Sequence, residues 1–144
     1  MVPLQAVKCD SMIIPQAVET TPVTGIMDTL GGDCASIICY LDTAAASSVI
    51  TTLAITEGDT TSTFSAITAF TGGVAAGNFT LPVPNTSTPD IVRFDIDTRA
   101  RKRYLKVTFT SPAARLCSVM GLLSRNEGMP DTAAKVGVTT WVRG

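Results

Sequence analysis

The sequence contains no histidine and only three glutamates, and charged residues make up 16% of its 144 positions. Without histidine, neither a histidine general base nor a histidine-ligated metal site can be built. The formal net charge is −1, whereas a domain that binds nucleic acid is basic overall. No apolar run reaches the ~18 residues that a membrane-spanning helix needs. These absences argue against histidine-dependent catalysis, against nucleic acid as a partner and against membrane insertion.

The N-terminal stretch does not have the pattern of a secretory signal peptide. Lys8 and Asp10 interrupt its apolar residues, and Pro3 and Pro15 break it, so a basic segment followed by a continuous apolar one is missing. We therefore expect synthesis in a reducing cytoplasm.

The four cysteines, at positions 9, 34, 39 and 117, form no C-x-x-C pair. Without histidine, a zinc site would need all four scattered thiolates. Cys39 and Cys117 lie in apolar stretches, where a free thiol behaves as a small hydrophobic side chain. We expect core thiols, with no metal or other cofactor; a disulfide and a metal site are the alternatives.

What is abundant is threonine, with 22 residues, together with valine and isoleucine, and this is the composition of strands. Short apolar or alternating runs, separated by Gly, Pro, Asp and Asn clusters, predict an all-β antiparallel β-sandwich. At most, a short helical turn is expected over 42–48. The strands are predicted near residues 6–9, 12–18, 23–30, 35–41, 49–57, 64–70, 78–81, 90–97, 103–110 and 116–124.

Alternation along the strands predicts which side chains face the core. Val92, Phe94 and Ile96 form one face of their strand, and the opposite face carries Arg93, Asp95, Asp97 and Arg99. In the next strand the inward residues are Leu105, Val107 and Phe109. By contrast, residues 37–41 and 116–123 are apolar on both faces, which indicates central strands that also contact another subunit.

The predicted domain organisation is an N-terminal arm over residues 1–22, a β-sandwich domain over 23–124 and a C-terminal arm over 125–144. The arms are loosely patterned, yet the second one carries Trp141, the single tryptophan. An isolated tryptophan in a polar tail is typical of an anchor that docks into a pocket. We favour a docked arm over a frayed tail.

The charged residues offer two candidate sites. Asp95 and Asp97 are close enough along one strand to share a proton or a Ca²⁺ ion, but the flanking Arg93 and Arg99 neutralise them, so ion pairing is expected. A cationic run then follows, and a charged turn or a contact with an acidic protein surface is expected there. Neither site supports an enzyme. The run comprises Arg99, Arg101, Lys102, Arg103 and Lys106.

Four segments carry a resemblance to a known family: MDTLGGD at 27–33, SIICYLD at 36–42, LAITEGD at 53–59 and FDIDTRARKRYLKV at 94–107. Over residues 22–124 the chain resembles the head decoration, or capsid cement, proteins of tailed bacteriophages. The resemblance implies a β-sandwich of jelly-roll type with no catalytic residues. It also implies a homotrimer on the outer capsid surface of the virion, clamping neighbouring subunits of the major capsid protein.

The residues expected to bind a partner are Arg99, Arg101, Lys102, Arg103 and Trp141. A mean hydropathy of +0.32 with so few charges indicates surface covered by oligomerisation. Two other functions stay open: another virion structural role, in a tail or head fibre, and a carbohydrate-binding β-sandwich module. For the latter, the amphipathic aromatics Trp141, Tyr40 and Tyr104 lie in separate segments, whereas sugar sites bring exposed aromatics together.

Overall fold

The computed structural model describes residues 7–73, 78–124 and 140–143, and almost all of them lie in or between β-strands. Residues 42–48, where a short helical turn was expected, contain no helix, and the one 3-10 turn of the described residues is Thr98–Ala100. The strands are β1 (Lys8–Val18), β2 (Val23–Asp28), β3 (Cys34–Leu41), β4 (Thr52–Gly58), β5 (Ser65–Gly73), β6 (Asp90–Asp97), β7 (Tyr104–Thr110), β8 (Arg115–Ser124) and β9 (Thr140–Arg143).

Two sheets form the sandwich. One has the order β1-β8-β3-β6-β9 and the other β2-β7-β4-β5. All pairings are antiparallel except that of β9, which runs parallel to β6 at the sheet edge. The predicted all-β antiparallel architecture is therefore confirmed.

The pairing follows a simple order. β1 pairs with β8, β2 with β7, β3 with β6 and β4 with β5, and successive pairs alternate between the two sheets. The first four strands thus run beside the last four as one long antiparallel double strand. This double strand turns back between β4 and β5, and its successive pairs lie in alternate sheets. Consequently the first and the last of the eight antiparallel strands pair although about a hundred residues separate them along the chain.

The core lies between the sheets and follows the predicted alternation. Leu105, Val107 and Phe109 are fully buried, as are Phe94 and the other inward residues of β6. Phe94 lies at the centre of an aromatic group, because the rings of Phe70 and Phe79 meet it edge-on at centroid distances of 5.9 and 5.3 Å. Such edge-to-face pairs add to the stabilisation from buried area.

The start of the sandwich and one predicted strand differ from the predictions. The sandwich begins at Lys8, because residues 8–18, which the sequence placed in an N-terminal arm, form β1 and pair with β8. Residues 78–81 are not a strand: Phe79 packs on the core and Pro82 follows, and proline cannot donate to a ladder. The predicted C-terminal arm lies outside the described residues except for β9.

The two sheets approach most closely where glycines replace side chains. A Cβ atom at Gly25 in β2 would overlap the backbone carbonyl of Met12 in β1. At Gly121 in β8 it would instead overlap the sulfur of Met27, with the sulfur of Met12 at 3.2 Å. The first contact is with backbone and the second with flexible thioethers, which can move.

These two glycines predict unequal costs for the same substitution. We expect Gly25→Ala to lower the free energy of unfolding by about 1–3 kcal/mol through overpacking, because the opposing carbonyl cannot move without breaking the β1 pairing. Gly121→Ala should cost less, since the methionine side chains can shift. Urea titration of both variants measures the difference, and an equal or larger loss in Gly121→Ala would contradict this account.

Candidate interaction surface

The outward side of the five-stranded sheet is apolar over β1, β3 and β8. Its exposed large apolar residues are Ile14, Tyr40, Leu116 and Met120, with exposed fractions of 64, 40, 54 and 45%. Their strands are neighbours, and Met120 pairs across the ladder with Ile38, which is half-buried. We call this set, with Ile38 and Leu122, the apolar face. The prediction that residues 37–41 and 116–123 form strands with apolar side chains on both faces is confirmed for β3 and β8.

A groove of about 480 Å³ opens on the apolar face between β1 and β8. It arises because β1 is irregular: the register shifts between Ser11 and Ile13 and again before Gln16, around Pro15. Met12 and Ile13 are consequently both buried while Ile14 points to solvent. The lining includes Cys9, Ile13, Pro15, Val119 and Met120.

The outward side of the four-stranded sheet has a different character. Thr24 pairs with Thr108, Thr56 pairs with Lys106, and Ile26 at 38% exposure is its one large exposed apolar residue in the described strands. Hydroxyl-bearing side chains make this side compatible with water. The apolar surface is therefore concentrated on one side of the sandwich, where a protein partner would be expected.

A polar cluster borders the apolar face on β3 and β6. The Asp95 side chain is fully buried, and it accepts hydrogen bonds from the Ser36 hydroxyl and from the Arg93 Nε atom at 3.0 Å. The Arg93 guanidinium also donates to the Ser36 oxygen at 3.3 Å. Asp95 is thus neutralised, as the flanking arginines predicted, but it is far more buried than a solvent-facing strand residue.

The cationic run is paired with carboxylates at almost every member. Arg99 bonds Asp97 at 2.7 Å, and Arg103 bonds Asp28 at 2.8 Å. Three further members are engaged as follows: Lys102 with Asp59 at 3.1 Å, Arg101 with Glu57 at 3.9 Å, and Lys106 over the Phe64 ring at 4.4 Å.

The structure therefore spreads these cations around β4, β7 and the 3-10 turn rather than gathering them into one unneutralised patch. Recognition of a partner by Arg99, Arg101, Lys102 and Arg103 stays a prediction. The pairing weakens its electrostatic basis, because each of the four already has a carboxylate within 4 Å.

Hydrogen bonds from arginine lower the pKa of two of these carboxyls to about 2. Arg103 binds Asp28 through both Nε and a terminal nitrogen, and the backbone N–H of Leu30 adds a further bond. Arg99 does the same for Asp97, with its side chain and its own backbone N–H. Both aspartates therefore stay ionised at any physiological pH.

A second buried ion pair, which the sequence analysis missed, lies at one end of the core. Arg115 and Asp90 are 3 and 4% exposed, and a guanidinium nitrogen lies 3.1 Å from the Asp90 carboxylate. The Arg115 Nε atom donates to the backbone carbonyl of Asp42 at 2.6 Å. No sequence signal points to this pair: the residues are 25 positions apart, each at the first position of its strand.

Three of the four cysteines are buried free thiols, as expected for core residues. Burial raises the pKa of Cys34 and Cys117 to about 11 and that of Cys39 further, so these thiols stay protonated and unreactive. Cys9 is exposed. In the described ranges no three His, Cys, Asp or Glu residues cluster as metal ligands, and no helix there could cross a membrane.

Trp141 lies in β9, where its backbone pairs with that of Arg93. Val142, the next residue, packs against the core. β9 therefore lies at the edge of the five-stranded sheet next to the Arg93 cluster, whereas the cationic run follows β6 and continues into β7.

Comparison of the chain with known protein families, with curated proteins and with solved structures finds no match. The function is therefore inferred from the fold and from the surfaces of the two sheets.

The lowered pKa of Asp28 predicts a pH-dependent loss of stability. Its folded-state pKa of about 2 is below the ordinary value, so the ionised form stabilises the fold above pH ~4, and this contribution is lost as the pH falls from ~4 to ~2. Asp28→Asn should therefore be less stable than the parent at pH 6 and nearly equal to it at pH 2. Thermal unfolding of both proteins across this range measures the difference; a constant gap would contradict the assignment.

The Arg115–Asp90 pair predicts strong coupling. Arg115→Met leaves a buried carboxylate without its partner and should cost about 3–5 kcal/mol of unfolding free energy. The double variant Arg115→Met/Asp90→Asn should recover much of that loss, because no buried charge remains. Denaturant titration of the single and double variants closes the cycle. A double variant less stable than Arg115→Met alone would show that the unpaired Asp90 carboxylate does not cause the loss of unfolding free energy.

Proposed function

We propose that this protein is a capsid decoration, or cement, protein of a tailed bacteriophage, with a jelly-roll sandwich that assembles as a homotrimer. It binds the outer surface of the head and stabilises contacts between subunits of the major capsid protein. The observation that carries the proposal is the apolar face, where neighbouring strands of one sheet leave Ile14, Tyr40, Leu116 and Met120 exposed. No catalytic step is part of this function.

The strand order supports the jelly-roll assignment. Eight antiparallel strands in the orders β1-β8-β3-β6 and β2-β7-β4-β5 form two interleaved four-stranded sheets, which is the arrangement of jelly rolls. This architecture is frequent in viral capsid proteins and in lectins. Fold alone does not decide between these functions, so the surfaces must.

The distribution of charge and apolar area supports a protein partner. The cations of the 99–106 run are paired within the chain, which leaves little field to attract a polyanion. The apolar face instead gains free energy when it is removed from water, by about 25 cal/mol for each Å² buried. A capsid offers many copies of the same site, so modest affinity at each one reinforces the whole shell.

The placement of the aromatics does not favour a sugar-binding module. Tyr40 is exposed on the five-stranded sheet, whereas Tyr104 lies on β7 of the other sheet with the Arg103 guanidinium over its ring at 5.0 Å. These two side chains therefore do not converge on one sugar. A tail or head-fibre role would use the same apolar face, and the difference lies in which virion part is bound.

The proposal predicts that charge on the apolar face abolishes head binding without unfolding the protein. We expect Met120→Glu to lower binding to expanded, undecorated heads of the parent phage at least tenfold, because an unpaired carboxylate would have to leave water. The matched control is Ile26→Glu, with similar exposure on the other sheet, and it should bind normally. Co-sedimentation with the heads, with circular dichroism as the folding check, measures both.

Equal binding by the two variants would refute the assignment of the apolar face. If neither variant nor the parent binds heads, the decoration function itself fails. Binding to purified tails would then favour the fibre role, and retention of the parent on a glycan array would favour the carbohydrate-binding module.

A further inference from the structure

The C-terminal strand β9 differs from every other described strand in how it is held. It is the one described strand that has no antiparallel neighbour, because its single ladder, to β6, is parallel, and it has four residues. Val142 is aligned with Phe94 and packs against the core. β9 therefore covers the edge of β6, whose backbone groups would otherwise be open to pairing with another chain.

The path that leads to β9 is long. Ser124, the last residue of β8, pairs with Cys34 of β3, and Cys34 pairs on its other side with Asp97 of β6, so these three residues lie at one end of the sheet. β9 begins beside Val92, five residues before Asp97 in β6. The chain must therefore go back ~17 Å along the strands and ~14 Å across β3 and β6. Residues 125–139 can span up to ~50 Å when extended, which is enough to reach either the β6 of the same chain or that of a neighbour.

The contacts of β9 are the same whichever copy supplies it. Its ladder to β6 and the packing of Val142 involve only residues 92–95 and 140–143 and the adjoining core. Exchange of this element between copies therefore keeps the β6 ladder and the packing of Val142, and it joins the copies at low energetic cost. The low charge and positive mean hydropathy of the chain are those of a protein whose copies associate.

We propose that β9 is exchanged: in the assembled oligomer, residues 140–143 of one copy pair with β6 of the next. This inference rests on the trimer of the proposed function and names the element that closes it. Around a three-fold axis each copy gives one β9 and receives one, so all three β6 edges are covered. The apolar face on β1, β3 and β8 stays available to the capsid.

Cross-linking between two distinguishable chains tests the exchange. In a Cys9→Ser background, a tagged chain carries Ile91→Cys and an untagged chain carries Trp141→Cys, positions on either side of the Val92–Thr140 register pair. The two are refolded together and treated with a short bismaleimide reagent, while the three buried thiols remain protected. We expect a cross-linked dimer of one tagged and one untagged chain.

The matched control places the first cysteine at Ile26 on the other sheet, and it should give at most a tenth of that product. A chain carrying both Ile91→Cys and Trp141→Cys should give cross-linked species up to trimer. If that chain forms only an internally linked monomer and the mixture gives no dimer, β9 stays with its own β6 and the exchange is refuted.

Head binding is measured separately on the Cys9→Ser parent. If this parent binds heads while the cysteine variants give only internal cross-links, the exchange is refuted and the decoration function is supported. If the variants give interchain cross-links while the parent does not bind heads, the exchange is supported and the decoration function is refuted.

Discussion

The close approach of β1 to β2 at Gly25 is the contact on which the rest of the sandwich depends. There the Met12 carbonyl occupies the space of a side chain, so the two sheets can close over Met12 and Met27. The same region of β1 is irregular, since two residues in a row are buried and the register shifts on either side of Ile13. Burial of Met12 and Ile13 together thus directs Ile14 outward and opens the groove beside Met120.

The pairing order explains why this corner matters beyond its own contacts. Because β1 pairs with β8 and β2 with β7, the corner between β1 and β2 brings these two long-range ladders together. These ladders join distant segments, and loop closure must be completed before they gain any stabilisation. Central ladders such as β3 with β6 and β8 then set the outward positions of Tyr40 and Met120 on neighbouring strands.

Sequence reasoning could predict the strands that alternate but not their partners. β7 is read correctly because Leu105, Val107 and Phe109 alternate with polar residues, and this period follows from backbone geometry alone. The Arg115–Asp90 pair could not be found, since it joins β6 and β8, which β7 separates along the chain and β3 separates in the sheet. β1 was predicted as two short strands, 6–9 and 12–18, inside a loosely patterned arm, whereas one irregular strand crosses Pro15 and joins the sandwich, since proline is accepted at a bulge. The apolar face was predictable in part, from the runs at 37–41 and 116–123.

The charges and the apolar face together define what kind of surface the protein offers. Arg93, Arg99 and Arg103 each bind a carboxylate of the same chain, so the polar surface is largely neutralised before any partner arrives. Association then depends on apolar contact and on shape, and it is less sensitive to salt than association between opposite charges. The proposed capsid function, in which shell subunits are held together over a range of ionic strengths, would benefit from this property. The pairing of charges within the chain and the exposure of Leu116 and Met120 therefore favour the same kind of association, in which apolar side chains are removed from water.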